Sequence, residues 1–168
     1  MLKRLEKIDR AESIEQLRLE FRLYNDWVKS IHSLKKWYAY QLENFDRPIR
    51  EKEEQLKSIK QSYSDGIPTA KKDRVRYNAI INSIDQYKIN RQQWIKENNY
   101  KYLSTLNFRK RRCEIINAYL EMLNDSDRAF ICDLYINQLK IKRLMDKYKI
   151  ENPSSVNRKG RKILEKLL

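Results

Sequence analysis

The chain has 168 residues, 40% hydrophobic and 36% charged, with 37 Lys and Arg against 23 Asp and Glu and a formal net charge of +14. That length supports one modest core, or a long helical part with a small terminal module, and eighteen aromatic residues exclude wholesale disorder. Two glycines and three prolines leave little room for hairpins or phosphate-cradling loops, so an almost all-helical chain is expected and glycine-loop nucleotide sites are disfavoured.

From Ile14, apolar residues recur three and four apart: Ile14, Leu17, Phe21, Tyr24, Val28, Ile31, then Tyr38, Leu42 and Phe45. Lys35 interrupts this seam, while Trp27, Leu34 and Trp37 widen it beyond a narrow coiled-coil stripe. A face of this kind needs a partner helix. Ile14, Phe21, Val28, Ile31 and Tyr38 are expected to form a packing seam used for homodimerisation, with packing inside the chain as the alternative. Pro48 predicts a break near 46–48, or the start of a further helix over 48–63 with the weaker seam Ile49, Leu56, Ile59 and Tyr63. Residues 1–65 carry fourteen bases and twelve acids, which suits a scaffold better than a nucleic-acid contact.

Ser64-Asp65-Gly66-Ile67-Pro68-Thr69 is the clearest internal turn. Val75, Ile80, Ile81, Ile84, Tyr87, Trp94 and Ile95 then predict a helix over 71–98. A third portion begins near Asn107, so the chain divides into a helical scaffold or oligomerisation region over 1–106 and a terminal domain over 107–168. Cys113, Ile116, Tyr119, Leu120 and Leu123 predict a helix ending at Asn124. Asp125-Ser126-Asp127 is suited to cap the next one, which carries Phe130, Ile131, Leu134 and Tyr135. The basic run Arg109-Lys110-Arg111-Arg112 opens this portion. Placed at a helix start, it opposes the helix dipole; it either grips a polyanion backbone or forms a solvated first turn.

The last thirty residues are the most informative. Residues 140–168 hold ten Lys or Arg against three acids, half of the net positive charge. Two helices are expected, over 140–148 and 153–167, separated by a tight turn. Ile141, Leu144, Met145 and Tyr148 supply an apolar side for the first. In the second, Asn152 suits an N-cap and Pro153 the first helical position, and Val156, Ile163, Leu164 and Leu167 repeat on one face. The opposite face carries Ser154, Ser155, Asn157, Arg158, Arg161 and Lys162, with Lys159 close by. A helix-turn-helix presents such a face to the major groove of duplex DNA. Asn pairs bidentately with adenine and Arg with guanine, which makes Asn157 and Arg158 the base-reading candidates. Ser154, Ser155, Arg161, Lys162, Lys140, Lys142 and Arg143, joined by Arg109, Lys110, Arg111 and Arg112, are candidates for the DNA backbone. A solvated basic helix is the competing explanation.

The stretch 113–168 resembles the fourth region of sigma-70-type transcription factors, and in particular the small phage and prophage regulators, including late-transcription regulators, that combine such a module with a helical amino-terminal extension. The resemblance rests on Ile116–Leu123 and Phe130–Tyr135 ahead of the reading pair, Ile141–Tyr148 as supporting helix, Lys149–Asn152 as turn, Val156 near the start of the recognition helix, and Ile163, Leu164 and Leu167 closing it. It implies an all-α fold with an elongated helical scaffold and a sigma-region-4-like helix-turn-helix domain. The implied function is transcriptional regulation of phage or prophage genes through sequence-specific duplex DNA binding, with homodimerisation and contact with host RNA polymerase as expected partnerships. Two positions depart from the family pattern: Met145 replaces a small residue, and Lys149 replaces a glycine, so Lys149 must accept the turn conformation itself.

No catalytic set stands out. His32 is the sole histidine, which excludes a histidine-rich metal site or a His-containing triad within one chain. Glu51, Glu53 and Glu54 suit a solvated helix face. Cys113 and Cys132 fall in apolar helical patterns without zinc spacing. No enzyme activity, cofactor or metal is expected. No apolar run approaches a membrane span, and Met1-Leu2-Lys3-Arg4 is not followed by a signal-peptide core, so no membrane partner and a cytoplasmic location in a bacterial host, nucleoid-associated when on DNA, are expected. Two alternatives remain: a phage packaging protein of the terminase small-subunit kind, and a helical module that docks host transcription machinery.

Overall fold

A computed structural model describes residues 11–63, 66, 68 and 70–168. Among them the fold is all helical: α1 (Ile14–Gln61), α2 (Lys71–Glu121), α3 (Asp125–Ile131) leading into a π-helical turn (Cys132–Ile136), α4 (Ile141–Tyr148) and α5 (Pro153–Glu165). The start Met1–Arg4, and Ser64, Asp65, Ile67 and Thr69 of the expected turn, lie outside the described residues. Of that turn, Gly66 adopts a left-handed φ of 67°, which a glycine reaches without steric cost, and Pro68 is buried.

Two expected helix boundaries are absent. Pro48 lies inside α1, without a break at 46–48. An interior proline loses one backbone hydrogen bond and crowds the carbonyl four residues back, here that of Asn44, at about 3 kcal/mol. Adjacent Ile49 offsets this by packing against Ile80 and Ile84. Likewise α2 does not stop at Asn98 but runs on to Glu121. No glycine or proline interrupts residues 71–121, and a gap in the apolar pattern alone does not end a helix. At its start, α1 is capped in box fashion: Ser13 Oγ accepts from the Gln16 N–H at 3.1 Å and Gln16 Oε1 from the Glu12 N–H at 2.9 Å.

The chain forms two compact units, one joining the described part of Met1–His32 to Leu106–Leu168, the other covering Ser33–Thr105. The start of α1 thus groups with the C-terminal residues rather than with the rest of α1. Within the Ser33–Thr105 unit, α1 and α2 run antiparallel. Tyr38 stacks on Tyr102 with centroids 3.9 Å apart and donates from its hydroxyl to Asn99, Arg91 pairs with Asp46 at 2.7 Å, and Lys88 with Glu53 at 3.1 Å. Trp37, Tyr38 and Phe45 all lie near the Trp94 ring. Glu53 is therefore held in an interhelix pair rather than fully free on a solvated acidic face.

The other unit contains the larger core. Leu17 and Phe21 of α1 join Ile115, Ile116, Tyr119 and Leu123 of α2, Phe130 and Ile131 of α3, Tyr135 and Ile136 of the π turn, Leu144 of α4, and Val156, Ile163, Leu164 and Leu167. The seam from Ile14 to Tyr38 is thereby divided. Phe21 is fully buried within the chain, Ile14 is half-buried against the same core, Tyr38 stacks in the other unit, Ile31 is half-buried, and Val28 is 44% exposed.

Short helices here depend on their ends. Asn124, not Asp125-Ser126-Asp127, caps α3: its Oδ1 accepts from the Asp127 N–H at 2.9 Å, the spacing at which a side chain reaches the third helical N–H. The carbonyls at the end of α2 are closed by a side chain from α3, with Arg128 donating to Leu120 O at 2.9 Å and Leu123 O at 3.0 Å.

Phe21→Ala is expected to destabilise the core by about 3–5 kcal/mol, the transfer term plus an unfilled cavity. Urea denaturation checks this. The loss should be the same at low and high protein concentration, because Phe21 packs inside its own chain.

Candidate nucleic-acid interface

The candidate face is built by the rotation of α5. Asn152 accepts from the Ser155 N–H at 2.9 Å and Pro153 occupies the first turn, so the N-cap is the one expected. Val156, Gly160, Ile163 and Leu164 are buried. Helical periodicity then puts Ser154, Asn157, Arg158, Arg161 and Lys162 on one exposed face, and the structure leaves all five exposed. Gly160 lets this helix sit close. A Cβ there would lie 2.6 Å from Leu134 Cδ2 and 2.9 Å from the Tyr135 hydroxyl.

The turn before α5 takes the conformation required of it. Lys149 has φ 51° and ψ 49°, and the Ile150 N–H returns to the Met145 carbonyl at 3.0 Å. Left-handed backbone costs a non-glycine residue about 1 kcal/mol, which the capping bond offsets. Met145 is half-buried against the main core. Lys140, Lys142 and Arg143 are exposed at the start of α4, where Lys140 takes the N-cap position without a capping side-chain bond.

Several expected contacts have internal partners. The Ser154 hydroxyl donates to Asn152 Oδ1 at 2.8 Å, which leaves its oxygen as an acceptor, and Ser155 is half-buried. Lys159 is drawn inward, its Nζ lying 4.7 Å from the Phe130 ring centroid and 5.4 Å from that of Tyr148. Arg161 pairs with Glu165 at 3.1 Å, an exposed pair of small energetic weight. Asn157, Arg158 and Lys162 are exposed.

The run Arg109–Arg112 is not a helix start. It lies well inside α2, where the terminal dipole has no hold, so the expected conflict with the dipole does not arise. Arg112 turns inward, ion-paired to Glu20 and with its guanidinium 5.6 Å from the Trp27 ring centroid. Arg109 is half-buried, while Lys110 and Arg111 are exposed.

One buried polar cluster was not foreseen from the sequence. Asp133 is 8% exposed and accepts from Lys147 Nζ at 2.6 Å, the Tyr148 hydroxyl at 2.7 Å and Asn137 Nδ2 at 3.1 Å, tying the π turn to α4. Burial pushes its carboxyl up, and the hydrogen bonds from Lys147, Tyr148 and Asn137 more than reverse this, leaving it below its ordinary value. Burial and the bond to Asp133 raise Tyr148 to about 12. An acid inside the apolar run Phe130–Ile136 was the available signal for a buried, satisfied carboxylate.

Among the described residues there is no group of three His, Cys, Asp or Glu side chains placed to hold a metal, and no helix long and apolar enough to cross a membrane. His32 is exposed. Cys113 and Cys132 are free thiols, and burial raises both, which disfavours the nucleophilic thiolate. No protein-family model matches the chain, and neither do any curated proteins or solved structures.

The sign of the Asp133 shift gives a pH dependence. A carboxyl held below its ordinary 3.8 contributes stability in full above that value and loses it as the pH falls through the depressed native value. Asp133→Asn should therefore lower the urea midpoint at neutral pH, with the gap to the parent narrowing below pH 3.8. A gap of constant size down to strong acid would show that the carboxylate charge contributes nothing.

Proposed function

We propose that this chain binds duplex DNA sequence-specifically and acts as a transcriptional regulator of phage or prophage genes, with α4 and α5 serving as a helix-turn-helix of the sigma-region-4 kind. The observation that carries this reading is the two-sided character of α5. Its apolar side is locked into the core, and its solvent side carries Ser154, Asn157, Arg158, Arg161 and Lys162 with no carboxylate before Glu165. A helix turned this way enters the major groove amino end first.

Asn157 and Arg158 lie in the second turn and are assigned to base edges. Lys162, Arg161, Lys140, Lys142 and Arg143 are assigned to phosphates, with Lys110 and Arg111 as further backbone contacts. Ser154 and Ser155 sit at the positive end of α5, whose dipole favours a phosphate. Arg112 is left out of this set because its guanidinium is turned inward onto Glu20 and Trp27. The dimer reading draws little support from the Ile14–Tyr38 seam, since Phe21 and Tyr38 have partners within the chain.

Arg158→Ala should relax discrimination at one base position by about 1–3 kcal/mol. Selection from a randomised duplex library, with helicity checked by circular dichroism, measures it. Identical preferences for the parent and the Asn157→Ala/Arg158→Ala double variant would remove these residues from base reading.

A further inference from the structure

Asn157 of α5 and Arg22 of α1 line the same cleft of about 260 Å³, together with Tyr135, Gln138 and Ile141. Its lining residues include a single cation, Arg22, and no carboxylate. We infer that Arg22 is a phosphate-contacting residue of the same DNA interface, so that the amino-terminal helix, and not only the C-terminal helices, grips the duplex backbone. This rests on the DNA-binding reading above.

Three features hold Arg22 in place. Its neighbour Phe21 is fully buried, which fixes the rotation of α1 about its axis. Asn25 Nδ2 donates to the Ile136 carbonyl at 2.8 Å, and Gln138 Nε2 to the Arg22 carbonyl at 3.4 Å, so this stretch of α1 is tied to the segment leading into α4. The Arg22 guanidinium lies 5.9 Å from the Tyr135 ring centroid, a contact that orients a planar cation without neutralising it. The side chain is exposed, and among the described residues no carboxylate pairs with it.

A planar guanidinium offers two parallel N–H donors to a phosphate. A base edge engaged by Asn157 brings the flanking backbone past the cleft, where Arg22 can neutralise one phosphate. Such a contact adds affinity and salt dependence but no sequence preference. Gln138, whose side-chain amide makes the bond to α1, has a left-handed φ of 50°, sterically costly for a residue with a side chain.

The test compares the full chain with Arg22→Gln and Arg22→Lys on a selected duplex and a random duplex over a series of salt concentrations. Arg22→Gln should weaken both duplexes by similar factors and lower the slope of log affinity against log salt by about one unit, while Arg22→Lys should retain most of the slope. Thermal unfolding is expected to be unchanged in both, which separates a lost contact from a damaged fold. Parent-like affinity and salt slope in Arg22→Gln would overturn the assignment while leaving the DNA reading intact. A parent chain that binds no duplex would overturn the DNA reading itself, and this assignment with it.

Discussion

Burial of Val156, Ile163, Leu164 and Leu167 against the core that also contains Phe130, Tyr135 and Leu144 is the constraint on which the candidate interface depends. It fixes the rotation of α5, and rotation decides which side chains meet solvent. Turned by one residue, the helix would bury Asn157 and expose Val156, at the cost of a buried unsatisfied amide and a lost apolar contact. Gly160 extends the same constraint. The absence of a Cβ at that position lets α5 approach Leu134 and Tyr135 closely, where any larger residue would force them to move.

Polar ties do the second half of the work in this small unit. A buried carboxylate is tolerated only when its lone pairs are used, and Asp133 uses them on Lys147, Tyr148 and Asn137. The three donors come from both sides of the turn between the π helix and α4, so the network fixes the direction in which α4 sets out. Arg128 does the equivalent for the end of α2, and Lys166 Nζ reaches Asp127 at 2.7 Å to tie the residues after α5 to α3. Hydrogen bonds of this kind contribute about 1 kcal/mol each, but they are directional where apolar burial is not.

Charge is unevenly committed across the molecule. Of the basic side chains near the candidate interface, Arg112 is paired with Glu20 beside Trp27, and Lys159 is drawn inward against two aromatic rings. Lys140, Lys142, Arg143, Arg158 and Lys162 stay at the surface with their charge available to an anion. Counting Lys and Arg along the sequence therefore overstates the charge offered to a ligand, because the count cannot tell a cation that supports the fold from one that faces outward.

The helical class, the cap at Asn152, the turn at Lys149 and the inner and outer faces of α5 were all legible from the sequence. Each is set by residues within one or two turns of one another, where propensity, capping and periodicity act directly. The break signal of Pro48 is visible in the sequence, but the long-range packing that overrides it, Ile49 on Ile80 and Ile84, is not, and at Asn98 a gap in the apolar pattern carries no break residue at all. Tertiary structure alone decided the internal use of Phe21, the fate of Arg112 and Lys159, and the placing of Arg22 on the same cleft as Asn157. These pairings join residues far apart in the chain, and composition and periodicity carry no information about which distant side chain a given face will meet.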